Sequence, residues 1–368
     1  MQRSIMLRAR ALDLSAPFHI PPPAQTLGSE VSLEVSQAPG VPEAVLRDRT
    51  RPDLEWRVQL GQEGEAYRAQ LRLPDAPTVV QYHFVFPDGS ILRDQRQEEG
   101  HNTPVYGQVM ETDFQIGVYD PDRMPPAWSQ GMVVYQIFPD AFARGREDVV
   151  TPRYGPYGLD LRLKGWDEPP EEPPLGRDFY GGDLRGVLNK LDYLQALGVN
   201  CLYFCPIFAA RTNHRYDATD YLQIDPMLGT EADFKALLDA AHARGIRVVL
   251  DAVYNHCSCD SMYFDMPGWA KTPGAYHDPQ SPYHRWFHFE TYPTEFRHWQ
   301  RQRNLPEFVE CPEVEAFFLG DQGVTAKWTR LGVDGWRTDV PFDNTDTFWR
   351  QFRRLLDRIK PGELDHQR

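Results

Sequence analysis

No stretch of this 368-residue chain reaches the run of about 18 apolar residues that a membrane-spanning helix needs. Its first residues, Met1-Gln2-Arg3-Ser4-Ile5-Met6-Leu7, lack the apolar core of a secretory leader. The expectation is a protein without a membrane partner. Basic residues are also in short supply, 39 Lys and Arg against 53 Asp and Glu for a net charge of −14, and they form no long patch. A phosphate backbone would be repelled, so no nucleic-acid partner is expected. Cysteine is scarce and odd in number at five, and Cys201 and Cys205 lie four apart in one predicted strand, too extended to bridge each other. A reducing, cytoplasmic location follows as the simplest expectation. Beside His256, Cys257 and Cys259 are separated by one residue, which is not a zinc spacing, so no metal ligands are assigned. The chain has no internal repeat.

What is present begins with ordinary globular composition, 41% hydrophobic and 25% charged. Residues 1–120 show short alternating runs and no convincing helical period. Examples are Ser32-Leu33-Glu34-Val35, Tyr67 to Leu73, and Val79 to Phe86 followed by the turn signal Pro87-Asp88-Gly89-Ser90. They predict an N-terminal all-β sandwich. Pro121, Pro125 and Pro126 mark a stiff linker over 121–130. From Met132 the pattern changes. Predicted strands at 133–138, 200–207, 246–253 and 332–340 alternate with helices at 184–197, 232–244, about 313–330 and 347–359. Apolar strands alternating with amphipathic helices imply a parallel sheet, buried on both faces and covered by helices. Residues 131–368 therefore read as the first half of a (β/α)8 TIM barrel. A long loop insertion after strand three, about 255–312, shows no sustained period and is expected to hold no regular core.

In a strand, residues two apart share a face, so Arg337 and Asp339 project together from the end of strand four. In a parallel barrel that end carries the catalytic residues. A guanidinium within about 4 to 6 Å lowers a carboxylate's pKa by roughly one to three units, leaving Asp339 ionised and able to act as a nucleophile. The bland alternative is an Arg/Asp pair that only closes a strand end. Asn255 and His256 follow strand three at the same rim, where a lone histidine is otherwise structural. After strand two, His214-Arg215-Tyr216-Asp217-Ala218-Thr219-Asp220-Tyr221 adds rings and carboxylates, or is a solvated turn. A sugar needs both a stacking plane and hydrogen-bonding groups, and the combined rim supplies both.

Asp251 to His256, Gly335 to Asp339 and Tyr216 to Tyr221 together resemble the α-amylase family of glycoside hydrolases. The leading sandwich, with Gln136-Ile137-Phe138-Pro139-Asp140 and Phe179-Tyr180-Gly181-Gly182-Asp183, is similar to its neopullulanase, cyclomaltodextrinase and maltogenic amylase branch. By that resemblance Asp339 is the nucleophile of a retaining hydrolase of α-1,4-glucosidic bonds in maltooligosaccharides, cyclodextrins or pullulan, and Arg337 positions it. His256 and Tyr216 hold the sugar at the cleaved bond, with Asn255, His214 and Asp217 as further substrate contacts. The family's general acid is a Glu after a fifth strand. Only Pro361 to Arg368 follow Lys360, so the chain reads as truncated after the fourth β-α unit, with Glu363 a weak substitute. The alternative is therefore a catalytically incomplete, glucan-binding fragment. No cofactor is required. Branch members often bind calcium in the loop after strand one, where Asp148 and Asp183 are the candidate ligands beside Arg144 and Arg146. The resemblance also allows a homodimer of the complete protein.

Overall fold

The computed structural model describes residues 5–10, 24–96 apart from 37 and 39, 110–147 apart from 124, and 156–360. They divide into two compact units, Met1–Pro125 and Pro126–Arg368.

In the first unit one sheet runs, in spatial order, Ile5–Arg10, Glu30–Ser36, Ala66–Arg72 and Gly61–Glu63. A second runs Gln25–Thr26, Phe114–Tyr119, Thr78–Val85, Glu43–Asp48 and Arg51–Gln59, with Ile91–Leu92 beside Thr78–Val85. The period of two decides which residues turn inward. Val31, Leu33 and Val35 of one sheet join Val80, Tyr82, Phe84 and Ile116 of the other in a single apolar cluster. The stretch expected to be a linker holds two 3-10 turns, Pro121–Arg123 in the first unit and Ala127–Ser129 in the second.

The second unit is built on four parallel strands in sequential order: β1 (Val134–Ile137), β2 (Cys201–Phe204), β3 (Arg247–Ala252) and β4 (Gly335–Thr338). Between and after them lie α1 (Leu184–Asn189), α2 (Leu191–Ala196), α3 (Glu231–His242), α4 (Pro312–Leu319), α5 (Val324–Leu331) and α6 (Asp346–Ile359). One sheet face is dry. Ile137, Leu202, Phe204, Val248, Leu250 and Ala252 share an apolar cluster with Leu184, Val187, Leu191, Phe234 and Leu237 of the helices. The other face carries Gln136, Tyr203, Val249, Asp251 and Arg337. The expectation that strand one is buried throughout fails, because Val133 and Val134 are each 49% exposed and within β1 only Ile137 is buried. β1 is an edge strand of this sheet, and among the described residues nothing covers its second face.

Two predicted helices are interrupted. At Lys190 the backbone N–H bonds to Val187 O, three residues back, and φ and ψ of −102° and 4° end α1 before α2 begins. Between α4 and α5, Gly320 and Gly323 lie so close to the carbonyls of Ala316 and Phe317 that a Cβ would stand 2.4 and 2.5 Å from those oxygens. The long loop, expected to hold no core, is packed. Tyr263, Phe264, Trp286, Phe287 and Phe296 are buried, and Phe264 meets Phe287 and Phe296 at ring distances of 4.9 and 4.7 Å. Aromatic edge and face contacts need no sequence period, which is why pattern reading passed over them.

Candidate active site

The register of β3 against β4 sets Asp251 directly beside Arg337 and Ala252 beside Thr338. Both charged side chains fall on the face opposite the helices. Arg337 Nη1 donates to Asp251 Oδ1 at 2.9 Å and Oδ2 at 3.1 Å, and to Asp339 Oδ1 at 2.5 Å. Asp339 N donates to Ala252 O at 3.1 Å, so the ladder reaches the nucleophile candidate and fixes its backbone. One guanidinium thus grips two carboxylates, and their surroundings differ. The Asp251 side chain is fully buried and also accepts from Tyr203 Oη at 2.5 Å and Tyr216 Oη at 3.0 Å. Burial raises its pKa, opposed by the hydrogen bonds of Tyr203 and Arg337 and by the guanidinium charge. Burial acts downward on Arg337, but the hydrogen bonds and charge of Asp251 outweigh it and hold the guanidinium above its ordinary value.

Directly after Asp339, Val340 has φ 34° and ψ 59°. A β-branched residue in the left-handed region is strained, by about 1 to 3 kcal/mol, and such strain concentrates where function over-determines the chain. It turns the chain into the 3-10 segment Pro341–Asp343.

His256 is 1% exposed, and its Nε2 lies 3.1 Å from Tyr216 O. A carbonyl only accepts, so Nε2 carries the proton. Burial pushes its pKa down to about 4, so the ring is neutral at pH 7. It stacks on Trp299 with centroids 5.2 Å apart and planes 20° apart. Tyr216 and His256 are therefore brought together with Arg337 and Asp339. His214 supports Tyr216, its Nδ1 accepting from Tyr216 N at 3.2 Å and meeting Thr212 Oγ1 at 3.1 Å. Asn255 donates through Nδ2 to Asp343 Oδ2 at 3.3 Å, while its Oδ1 is buried without a partner. Asp217 departs from expectation. It is 0% exposed, with Tyr157 Oη on Oδ2 at 2.6 Å and Thr212 Oγ1 and N on Oδ1, so its oxygens brace their own loop and tie it to the Tyr157 segment rather than face a ligand.

Residues 136–343, more than half of the chain, match the model of the α-amylase catalytic domain. The chain belongs to the α-amylase family. It is 34% identical over 355 residues to an amylopullulanase of Thermoanaerobacter thermohydrosulfuricus, covering 83% of this chain and 24% of that protein. It is 38% identical over 252 residues to neopullulanase 2 of Thermoactinomyces vulgaris, covering 65% of this chain and 39% of that one. Among solved structures it resembles the cyclic α-maltosyl-(1→6)-maltose hydrolase of Arthrobacter globiformis, at TM-score 0.54 and 38% identity over 66% of this chain and 51% of the other. Other matches carry the names maltogenic amylase and cyclomaltodextrinase, so the chain sits in that branch of the family. It spans well under half the length of the two curated relatives.

Three residues around this candidate site escaped the sequence reading, Tyr203, Trp299 and Asp343, and Asp251 entered it only as the first residue of a motif, without a role. Asp251 and Tyr203 had a local signal, a charged and a phenolic residue inside otherwise apolar strands. Trp299 and Asp343 had none. Of the two calcium candidates, Asp183 does not fit a cation. Asp183 caps α1 and accepts from Gly186 N at 2.7 Å, Gly145 N at 3.1 Å and Arg146 N at 2.9 Å, and the Arg146 guanidinium stands 3.7 Å away. Calcium would have to displace those donors and share its shell with a cation. Asp148 and the acid candidate Glu363 lie outside the described residues. Among the described residues no three His, Cys, Asp or Glu side chains converge as a metal site. Cavities of about 400 Å3 beside Arg47, Asp48 and Glu55, and about 240 Å3 beside Trp128, His242 and Arg247, touch none of the rim residues. No described helix is long and apolar enough to cross a membrane.

Proposed function

We propose that this chain is the sandwich and first half-barrel, with a long insertion after strand three, of a retaining hydrolase of α-1,4-glucosidic bonds. Its substrates are maltooligosaccharides, cyclodextrins or pullulan. The observation that carries this reading is Asp339 held 2.5 Å from Arg337 at the C-terminal end of β4. Asp339 attacks the anomeric carbon, forming a bond from its carboxylate oxygen to that carbon as the glycosidic bond breaks. The leaving oxygen takes a proton from a general acid, and water later hydrolyses the glycosyl ester to regenerate the carboxylate. Tyr216 supplies a flat face to the sugar, and neutral His256 supplies a polar edge without bringing a cation to the centre where positive charge develops. The second carboxylate that Arg337 reaches, Asp251, is closed in by two tyrosines, so it serves as a brace. Asp251 is thus not free to act as the acid, which the family resemblance places on a Glu after a fifth strand, outside the described residues.

A second reading, a glucan-binding module without catalysis, is favoured by that same lack. A glycosyl fluoride whose sugar ring carries a further fluorine separates the two, because fluoride departs without protonation and the test does not require the acid. Mass mapping is expected to place a covalent sugar on Asp339. Label on Asp217 or Asp251 would show that the roles are misassigned, and maltohexaose binding without any label would favour the module. All five cysteines are unpaired, which supports a reducing compartment as the place of action.

A further inference from the structure

Two strained backbone segments, far apart in sequence, are joined by one carboxylate oxygen beside the candidate site. In the long loop, Gln300 and Arg301 follow Trp299 with φ of 44° and 64°, both left-handed and neither glycine. Past β4, Val340 at φ 34° opens the turn that ends in Asp343. Such conformations are costly and persist only where the surrounding structure over-determines them. The joint is Asp343 Oδ2, which accepts from Trp299 Nε1 at 3.0 Å and from Asn255 Nδ2 at 3.3 Å.

The consequence reaches His256. Its ring is covered by the Trp299 indole at 5.2 Å, and the return of the loop is zipped to the strand-three end by Phe308 N to Asn255 O at 2.9 Å and Cys257 N to Pro306 O at 3.1 Å. Those backbone bonds place the loop but not the indole, which can rotate about its own side-chain bonds. What orients the indole is its N–H on Asp343. His256 Nδ1 is buried and has no partner, and neither has Asn255 Oδ1. Neither side chain is therefore held by a full set of hydrogen bonds, and the contacts through Trp299 and Asp343 carry more of the task of fixing them.

We infer that Asp343 is a positioning residue: it locks the half-buried Trp299 against His256 and holds Asn255 in place, so that a sugar meets the indole in one fixed orientation. This rests on the α-glucan reading for the ligand, though not for the clamp. The clamp is an ordered Trp299 and has its own optical signature.

In the 368-residue chain, the near-ultraviolet circular dichroism difference between wild type and Trp299→Phe defines the band of the clamped indole. Asp343→Ala is expected to lose that same band and to bind maltohexaose about tenfold more weakly, the size of one lost charge-assisted hydrogen bond. Asp343→Asn still offers an oxygen to the indole N–H and is expected to restore most of the band and of the affinity. Asp343→Ala with band and affinity intact overturns the proposal. Weaker binding with the band intact overturns it too, since Asp343 would then act on the ligand directly. Should Asp343→Ala not fold, Trp299→Phe decides, because it removes the indole together with its N–H, and unchanged maltohexaose affinity there refutes the clamp. Wild type that shows the band behaviour but binds no maltohexaose refutes the glucan reading and leaves the clamp standing.

Discussion

Replacing His256 by glutamine should flatten the acid limb of the chain's stability. The imidazole is 1% exposed, and burial lowers its pKa from 6.5 to about 4, with Asp217 acting upward and His214 downward. In the unfolded chain the ring takes a proton near its ordinary value, so between those two values the unfolded state binds more protons than the folded one. Stability therefore rises with pH across this window, and His256 costs nothing above about pH 6.5. As pH falls from there to about 4, the penalty accumulates at 1.36 kcal/mol per unit, reaching about 3 kcal/mol. That is a large share of a net stability of roughly 5 to 15 kcal/mol. Urea unfolding of wild type and His256→Gln at several pH values from 7 to 4 measures the difference directly. Carboxylates common to both proteins, including buried Asp251, cancel in the comparison. Glutamine also loses the indole stack, so the variant is expected to start less stable at pH 7 and to close the gap as the pH falls. Parallel curves with a constant gap would refute the reasoning, and would mean that His256 is solvated or already charged in the folded protein.

Three further outcomes follow from the same geometry. Arg337→Met removes two hydrogen bonds from the fully buried Asp251 and should cost about 1 to 3 kcal/mol in urea unfolding while abolishing covalent labelling of Asp339; undiminished labelling would mean that the guanidinium does not position the nucleophile. Millimolar calcium and excess EDTA should leave the melting temperature unchanged, because backbone donors occupy Asp183, and a calcium-dependent rise that disappears in Asp183→Asn would overturn that assignment. The isolated chain should cleave a chromogenic maltoside at least about 10² to 10⁴-fold more slowly than a complete relative, the usual worth of general acid assistance. Activity near that of a relative and retained in Glu363→Gln would show that another group supplies the proton.

Arg337 and Asp339 were legible because their relation is local: a strand's period of two puts both on one face wherever it lies. The succession of strands and helices was legible for the same kind of reason, since each element's period is written within a dozen residues. The family motifs likewise sit at element ends that short-range signals mark. Partnerships were not legible, because they depend on register and on loop closure between distant segments. Asp251 gained its partners through a one-to-one pairing of β3 with β4, and through tyrosines 48 and 35 residues away. Asp217 reads locally as a rim carboxylate, yet Tyr157, 60 residues earlier, buries it. Val134 reads as core by composition, but composition does not say whether a strand lies at an edge. Trp299 and Asp343 are 44 residues apart and share no motif, so only the folded chain brings the indole to the carboxylate and both to His256.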